Sequence, residues 1–165
     1  MPVFVGSVAD IGLDYLAFAG KVSRNEALSF PDRVHAAASA GASRWITVFH
    51  RDADLSALDI DCMLQIKAQL KPRVAMRLAE RPFRMIMVAD GPDSDAVVAR
   101  WREMTVPDPS YASKPEAVRS LEEACRRHGL TPAKTQMAVS EIESDIRSVL
   151  LRTGPDHDDH DDHEL

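Results

Sequence analysis

The sequence contains no run of about 18 apolar residues. Its N-terminus lacks a basic stretch followed by an apolar core, because Asp10 and Asp14 interrupt the first hydrophobic segment. These absences argue against a transmembrane segment and a secretory leader, so the expectation is a cytoplasmic protein. Cysteine is scarce, with two in 165 residues, Cys62 and Cys125. Each sits among apolar residues of a predicted helix, which excludes a disulfide framework and points to reduced core thiols. Aromatic residues make up 5% of the chain, which leaves Ala, Val, Leu, Ile and Met to fill the core. The sequence has no G-x-S-x-G nucleophile turn, no Walker loop, no H-E-x-x-H and no C-x-x-C. No motif calls for a cofactor, and none is expected.

The body also lacks an excess of one charge. The formal charge is −6, but six of the 26 acidic residues lie within 156–164, which leaves 20 against 20 Lys and Arg. A formally neutral body has no bulk attraction for nucleic acid or an anionic membrane, and no nucleic-acid partner is expected.

What is present is an alternation of extended and helical patterns. "PVFVGSV" (2–8) and "LDYLAFAG" (13–20) predict a hairpin. In the second run Leu13, Tyr15, Ala17 and Ala19 alternate with Asp14, Leu16 and Phe18, as in a strand buried on both faces. "SRNE" (23–26) has the form of a capping box and predicts a helix over 24–40, kinked or split by Pro31, with Gly41 just past its end. "RWITVFH" (44–50) and "RMIMVAD" (84–90) read as strands. Between them Ile60, Met63, Leu64, Leu70, Val74 and Leu78 form a helical apolar face, with Ser56 and Asp59 both able to cap it and Pro72 inside it. "GPDSD" (91–95) leads into a helix over 95–104. A short edge strand is expected near 110–112, and "SKPE" (113–116) reads as a capping box for a helix over 114–128, ended by Gly129. Thr131 caps a last helix, on which Val139, Ile142, Ile146 and Val149 recur at spacings of three and four, a narrow seam near the coiled-coil period.

This order predicts an α/β domain: a mixed sheet of four or five strands with helices packed on it. The strand "WITVFH", the turn "RDADLSALD", the strand "RMIMVAD" ending in "GPDSD", a helix bearing Trp101 and the closing "YASKPEAVRSLEEACRRHGL" resemble the bacterial STAS/SpoIIAA-like family over roughly residues 3 to 130. The organisation is then a STAS/SpoIIAA-like domain over 1–130, an amphipathic helix over 131–153 and a disordered Asp/His-rich tail over 154–165. The resemblance implies a non-enzymatic regulatory module that binds a protein partner or a small ligand. Regulators of this kind carry a phosphorylated serine in a D-S-S-G-like turn after the third strand. Here the matching stretch is "LDIDCM": Asp59 fits the aspartate, but Ile60 and Asp61 occupy the serine positions and Ser56 is offset. That departure argues against a phospho-switch.

Four features carry candidate chemistry. His50, with Asp52 and Asp90, lies at predicted strand ends, where α/β folds place ligand-binding and catalytic groups; an acid–base pair there would make the chain a small enzyme. The charged turn that follows a strand is the simpler reading. Arg73, Arg77 and Arg81 share one helix face at a spacing of four, and with Lys67, Lys71 and Arg84 they form a basic stripe able to hold an anion or an acidic partner, or simply the solvated side of the helix. The seam of Val139, Ile142, Ile146 and Val149 can cover its own sheet, a second copy in a homodimer, or another protein. Finally, His157, His160 and His163 recur every third residue among aspartates, a donor set suited to a borderline metal. A segment so charged and so poor in apolar residues favours a solvated tail with no resident metal.

Overall fold

The computed structural model describes residues 3–37, 43–80, 84–109 and 114–152, with the side chains of 35–37 and 73–80 outside that description. Its architecture follows from the apolar alternation at residues 13–19. The strands β1 (Val3–Val8) and β2 (Leu13–Phe18) pair antiparallel through a 3-10 turn at Ala9–Ile11, closed by Gly12 in the left-handed region at φ 59. All six residues of β2 are buried. Leu13, Tyr15, Ala17 and Ala19 point into one apolar cluster, and Leu16 and Phe18 into another. A strand apolar on both sides must sit inside a sheet that is covered on both sides.

Among the described residues the cover is supplied by five helices. α1 (Arg24–Ala37) leads to β3 (Arg44–Phe49), α2 (Ile60–Glu80) to β4 (Arg84–Val88), and α3 (Pro92–Thr105) to β5 (Glu116–Val118); α4 (Leu121–Arg127) and α5 (Pro132–Arg152) complete the chain. The sheet runs β1-β2-β3-β4-β5, with β2 to β5 parallel. Ala27 and Phe30 of α1, Cys62, Met63 and Ile66 of α2, and Val97, Val98 and Trp101 of α3 fill one face. Leu121, Ala124 and Cys125 of α4 and Ala138, Ile142 and Ile146 of α5 fill the other. The fold is therefore α/β, with a mixed five-stranded sheet. Both cysteines are buried and free, and burial pushes the Cys125 thiol up to about 11.

Local chemistry sets the element ends. Glu26 N–H donates to Ser23 Oγ at 3.2 Å and Ser23 N–H to Glu26 Oε2 at 3.1 Å, the reciprocal capping box expected from "SRNE". Asp59 caps α2 by accepting from Cys62 N–H at 2.8 Å, and Thr131 caps α5 through Lys134 N–H at 3.3 Å. α1 and α2 run through Pro31 and Pro72 as single elements. α3 begins at Pro92, three residues earlier than the expected 95, because proline at the first helical position lacks only a donor that is unpaired there anyway.

The segment 114–120 departs from expectation. "SKPE" does not open a helix. Glu116–Val118 adds instead to the open edge of β4, pairing with Ile86–Val88. The helix starts at Leu121, capped by Ser120, which accepts from Glu123 N–H at 3.1 Å. The edge strand expected near 110–112 falls on 110–113, outside the described residues.

Candidate functional site

The parallel strands end together, and the turns that leave them form the candidate site. Pairing continues past β3: His50 N–H donates to the Phe18 carbonyl at 2.9 Å, Asp54 N–H to Gly20 O at 2.8 Å and Val22 N–H to Asp54 O at 3.1 Å. Leu55 and Leu58 are buried, so the turn between β3 and α2 is pinned into the core by two leucines while Ser56 stays exposed. Asp54 accepts from Ser56, whose hydroxyl and N–H hold the Asp54 carboxyl below the usual carboxylate range. Asp59 is held low as well, first by the Cys62 N–H and then by Arg24, whose Nη1 lies 3.3 Å from it.

His50 belongs to this turn. Its Nδ1 accepts from Asp52 N–H at 3.3 Å and lies 3.7 Å from Asp52 Oδ2. A ring nitrogen that accepts a backbone proton leaves the remaining ring proton on Nε2 in the neutral form. The β3–β4 register, Val48 opposite Val88, brings His50 and Asp90 out of adjacent strands at the same level. Yet no hydrogen bond or ion pair joins them among the described residues. Beyond Asp90, the α3 turn is tied to β5: Arg119 Nη1 donates to both Asp95 carboxylate oxygens, at 2.6 and 2.8 Å, and to Ala89 O at 3.3 Å. The structure thus unites His50 with Asp52 within one turn and leaves Asp90 apart.

Of the basic stripe, Arg84, Lys67 and Lys71 have described side chains. Arg84 starts β4, where its guanidinium forks onto Glu116 and also donates to the Arg127 carbonyl at the end of α4. Hydrogen bonding to Arg84 holds the Glu116 carboxyl below its usual value. Lys67 and Lys71 converge on Asp108 at 3.1 and 3.9 Å. The side chains of Arg73 and Arg77, and the whole of Arg81, lie outside the described residues, as do His157, His160 and His163. Among the described residues no group of three or more His, Cys, Asp or Glu side chains could hold a metal, and no helix is long and apolar enough to cross a membrane.

The α5 seam covers its own sheet. Ile142 and Ile146 are buried, and Val139 and Val149 are half-buried. Tyr15, buried in β2, donates its hydroxyl to Asp145 of α5; burial first, and then Asp145, raise the phenol far above its usual pKa. Between α4 and α5 a groove of about 330 Å³ is lined by Leu130, Pro132, Thr135 and Val139, with Glu122 and Arg126 at its rim.

Two residues of α2 depart from the expected apolar face, while Met63 is buried as expected and Leu70 packs against the core. Cys62, Met63 and Ile66 turn inward, while Ile60 and Leu64 are 56% and 48% exposed. The stripe of Met63, Ile66 and Leu70, spaced by three and four and widened by Cys62, competes with the four-residue spacing of Ile60 and Leu64, and only one of the two can face the sheet. The inward stripe is legible once Cys62 is counted as apolar.

No protein-family model matches this chain, and no curated protein or solved structure is significantly similar to it.

Proposed function

We propose that this chain is a cytoplasmic, non-enzymatic binding or regulatory module of the STAS-like type, which recognises a protein partner through the first two turns of α2. The observation that carries this reading is the pair Ile60 and Leu64, large apolar side chains one helical turn apart and about half exposed. Burying such a side chain in an interface is worth about 1.5–3 kcal/mol. Exposed Asp61 and Gln65 and the Arg24–Asp59 pair flank it, in keeping with a hydrophobic centre inside a polar rim. The turn before α2 is held by Leu55, Leu58 and the Asp54 bonds, so little ordering is left for binding to impose. The family reading is supported by the mixed sheet and by the "RDADLSALD" connection that delivers α2 from the end of β3. His50, bonded within its own turn, acts in this reading as a support of the recognition loop.

The test is affinity capture from the native cell with the full chain and with an Ile60→Asp/Leu64→Asp variant matched for thermal stability. The reading expects a specific protein on the parent chain and its loss on the variant. Equal capture by both would remove α2 from the account.

A further inference from the structure

We propose that the outer edge of β1 pairs, antiparallel, with β1 of a second copy of this chain. The backbone directions can be deduced. The Phe18 carbonyl accepts from His50 N–H, so the peptide groups of Phe18 face β3. Successive residues of a strand alternate, so Leu16 also faces β3, while Ala17 and Tyr15 face β1. The register sets Phe4 against Ala17 and Gly6 against Tyr15, so Phe4 and Gly6 bond inward. Val3 and Val5, opposite Phe18 and Leu16, turn their N–H and C=O groups outward. Arg33 of α1 donates to the Val3 carbonyl, as that direction requires. The Val5 groups have no hydrogen-bond partner among the described residues.

Edge strands are ordinarily guarded by charge, proline or a bulge. Val3–Val8 reads VFVGSV, with no charged residue and no proline, and it pairs with β2 without a bulge; its Val3 end is buried and held by Arg33, which leaves the Val5 groups as the open part of the edge. Three features make a second copy the fitting occupant. A two-fold axis through Val5 lets the two Val5 residues exchange both N–H···O=C bonds, and no foreign strand matches that register by symmetry. The same axis sets Phe4 of each copy opposite Gly6 of the other. Gly6 has no side chain because the Tyr15 ring lies over it, and Phe4 already meets Tyr15 edge-on at 6.4 Å, so the pairing extends an existing aromatic contact. Charge is complementary as well. Arg33 stands at the Val3 end of the strand, while exposed Asp10 follows at the Val8 end. Antiparallel pairing brings each cation to the other copy's acidic end. Two five-stranded sheets then become one continuous sheet. This interface is distinct from the Ile60–Leu64 surface and independent of it.

The experiment combines sedimentation velocity with backbone amide exchange of the full chain, from about 10 µM to about 1 mM. The expected result is growth from one 18.2 kDa chain to two, with exchange at the Val5 amide slowing by about tenfold or more over the same range. Val5→Pro removes the outward donor at a position where an edge strand tolerates proline, and it should leave a monomer. A single-chain mass at the highest concentration overturns the proposal. So does a dimer whose Val5 amide exchanges at an unchanged rate, since that dimer uses another surface. If Val5→Pro fails to fold, the concentration dependence in the unmodified chain decides alone.

Discussion

The Tyr15 hydroxyl donates to the Asp145 carboxylate across 130 residues of sequence, joining β2 to α5. It reaches Asp145 by passing over Gly6, where an added Cβ would collide with the phenol ring and its oxygen. Gly6→Ala must therefore displace Tyr15 and is expected to cost about 1–3 kcal/mol, as overpacking does. Tyr15→Phe removes only the hydrogen bond to the carboxylate and should cost about 1.5–3 kcal/mol. Urea denaturation of the two variants checks both losses, and a Gly6→Ala variant as stable as the parent would contradict the placement of Tyr15.

Removing residues 131–165 should do more than shorten the chain. It strips Ala138, Ile142 and Ile146 from the face of β2 and uncovers Tyr15, Ala17 and Ile46. Loss of two buried isoleucines alone is worth about 3–6 kcal/mol, a large share of the stability of a small domain. The truncated chain is expected to lose cooperative thermal unfolding and to bind a hydrophobic dye. A folded monomer with the parent's melting temperature would show that α5 is dispensable.

His128 gives the fold an acid-sensitive point. It is buried, its Nε2 lies 3.0 Å from the Trp45 carbonyl, and burial is the main cause that lowers its pKa; Arg84 and Arg44 add to the shift. Just below pH 6.5 the unfolded chain therefore binds more protons than the folded one, so stability rises with pH. The contribution is complete above the unfolded value and is lost as pH falls through it toward the lower folded value. The urea midpoint should drop between about pH 7.5 and about pH 5.5, and His128→Gln should flatten that drop. A midpoint in the parent that is level over this range would contradict the buried neutral imidazole.

The legible and illegible parts of the fold divide by range. β2 is readable because Leu13, Tyr15, Ala17 and Ala19 alternate with Leu16 and Phe18 within a single strand, and the clusters of the two faces follow that pattern. Ser23 with Glu26, and Thr131, are local signals, and they cap as such signals do. β5 is not readable, because three residues acquire strand geometry only from the open edge of β4. A second S-x-x-E, Ser120 to Glu123, marks the true start of α4 and competes with "SKPE" on equal local terms. The site shows the same division. The ring of His50 is fixed by its own turn, within reach of sequence, whereas Arg84 meets Glu116 across 32 residues.

That Arg84–Glu116 pair is partly exposed, so a double-mutant cycle of Arg84→Ala and Glu116→Gln should give a coupling of about 0.5–1 kcal/mol at low salt and less at high salt. Because the folded pKa of Glu116 is lowered, the coupling is present above the unfolded carboxylate value and disappears as pH falls through the folded one. A coupling insensitive to both salt and acid would contradict the ion pair.

The central claim is that the first turns of α2 meet a protein partner, and site-directed photo-crosslinking tests it most directly. A photoreactive residue at Leu64 should yield one discrete crosslinked species in the native cell. The same residue at Gln69, exposed farther along the helix, should yield little, and Ile60→Asp should abolish the product at 64. Equal labelling from positions 64 and 69, or none from either, would contradict it.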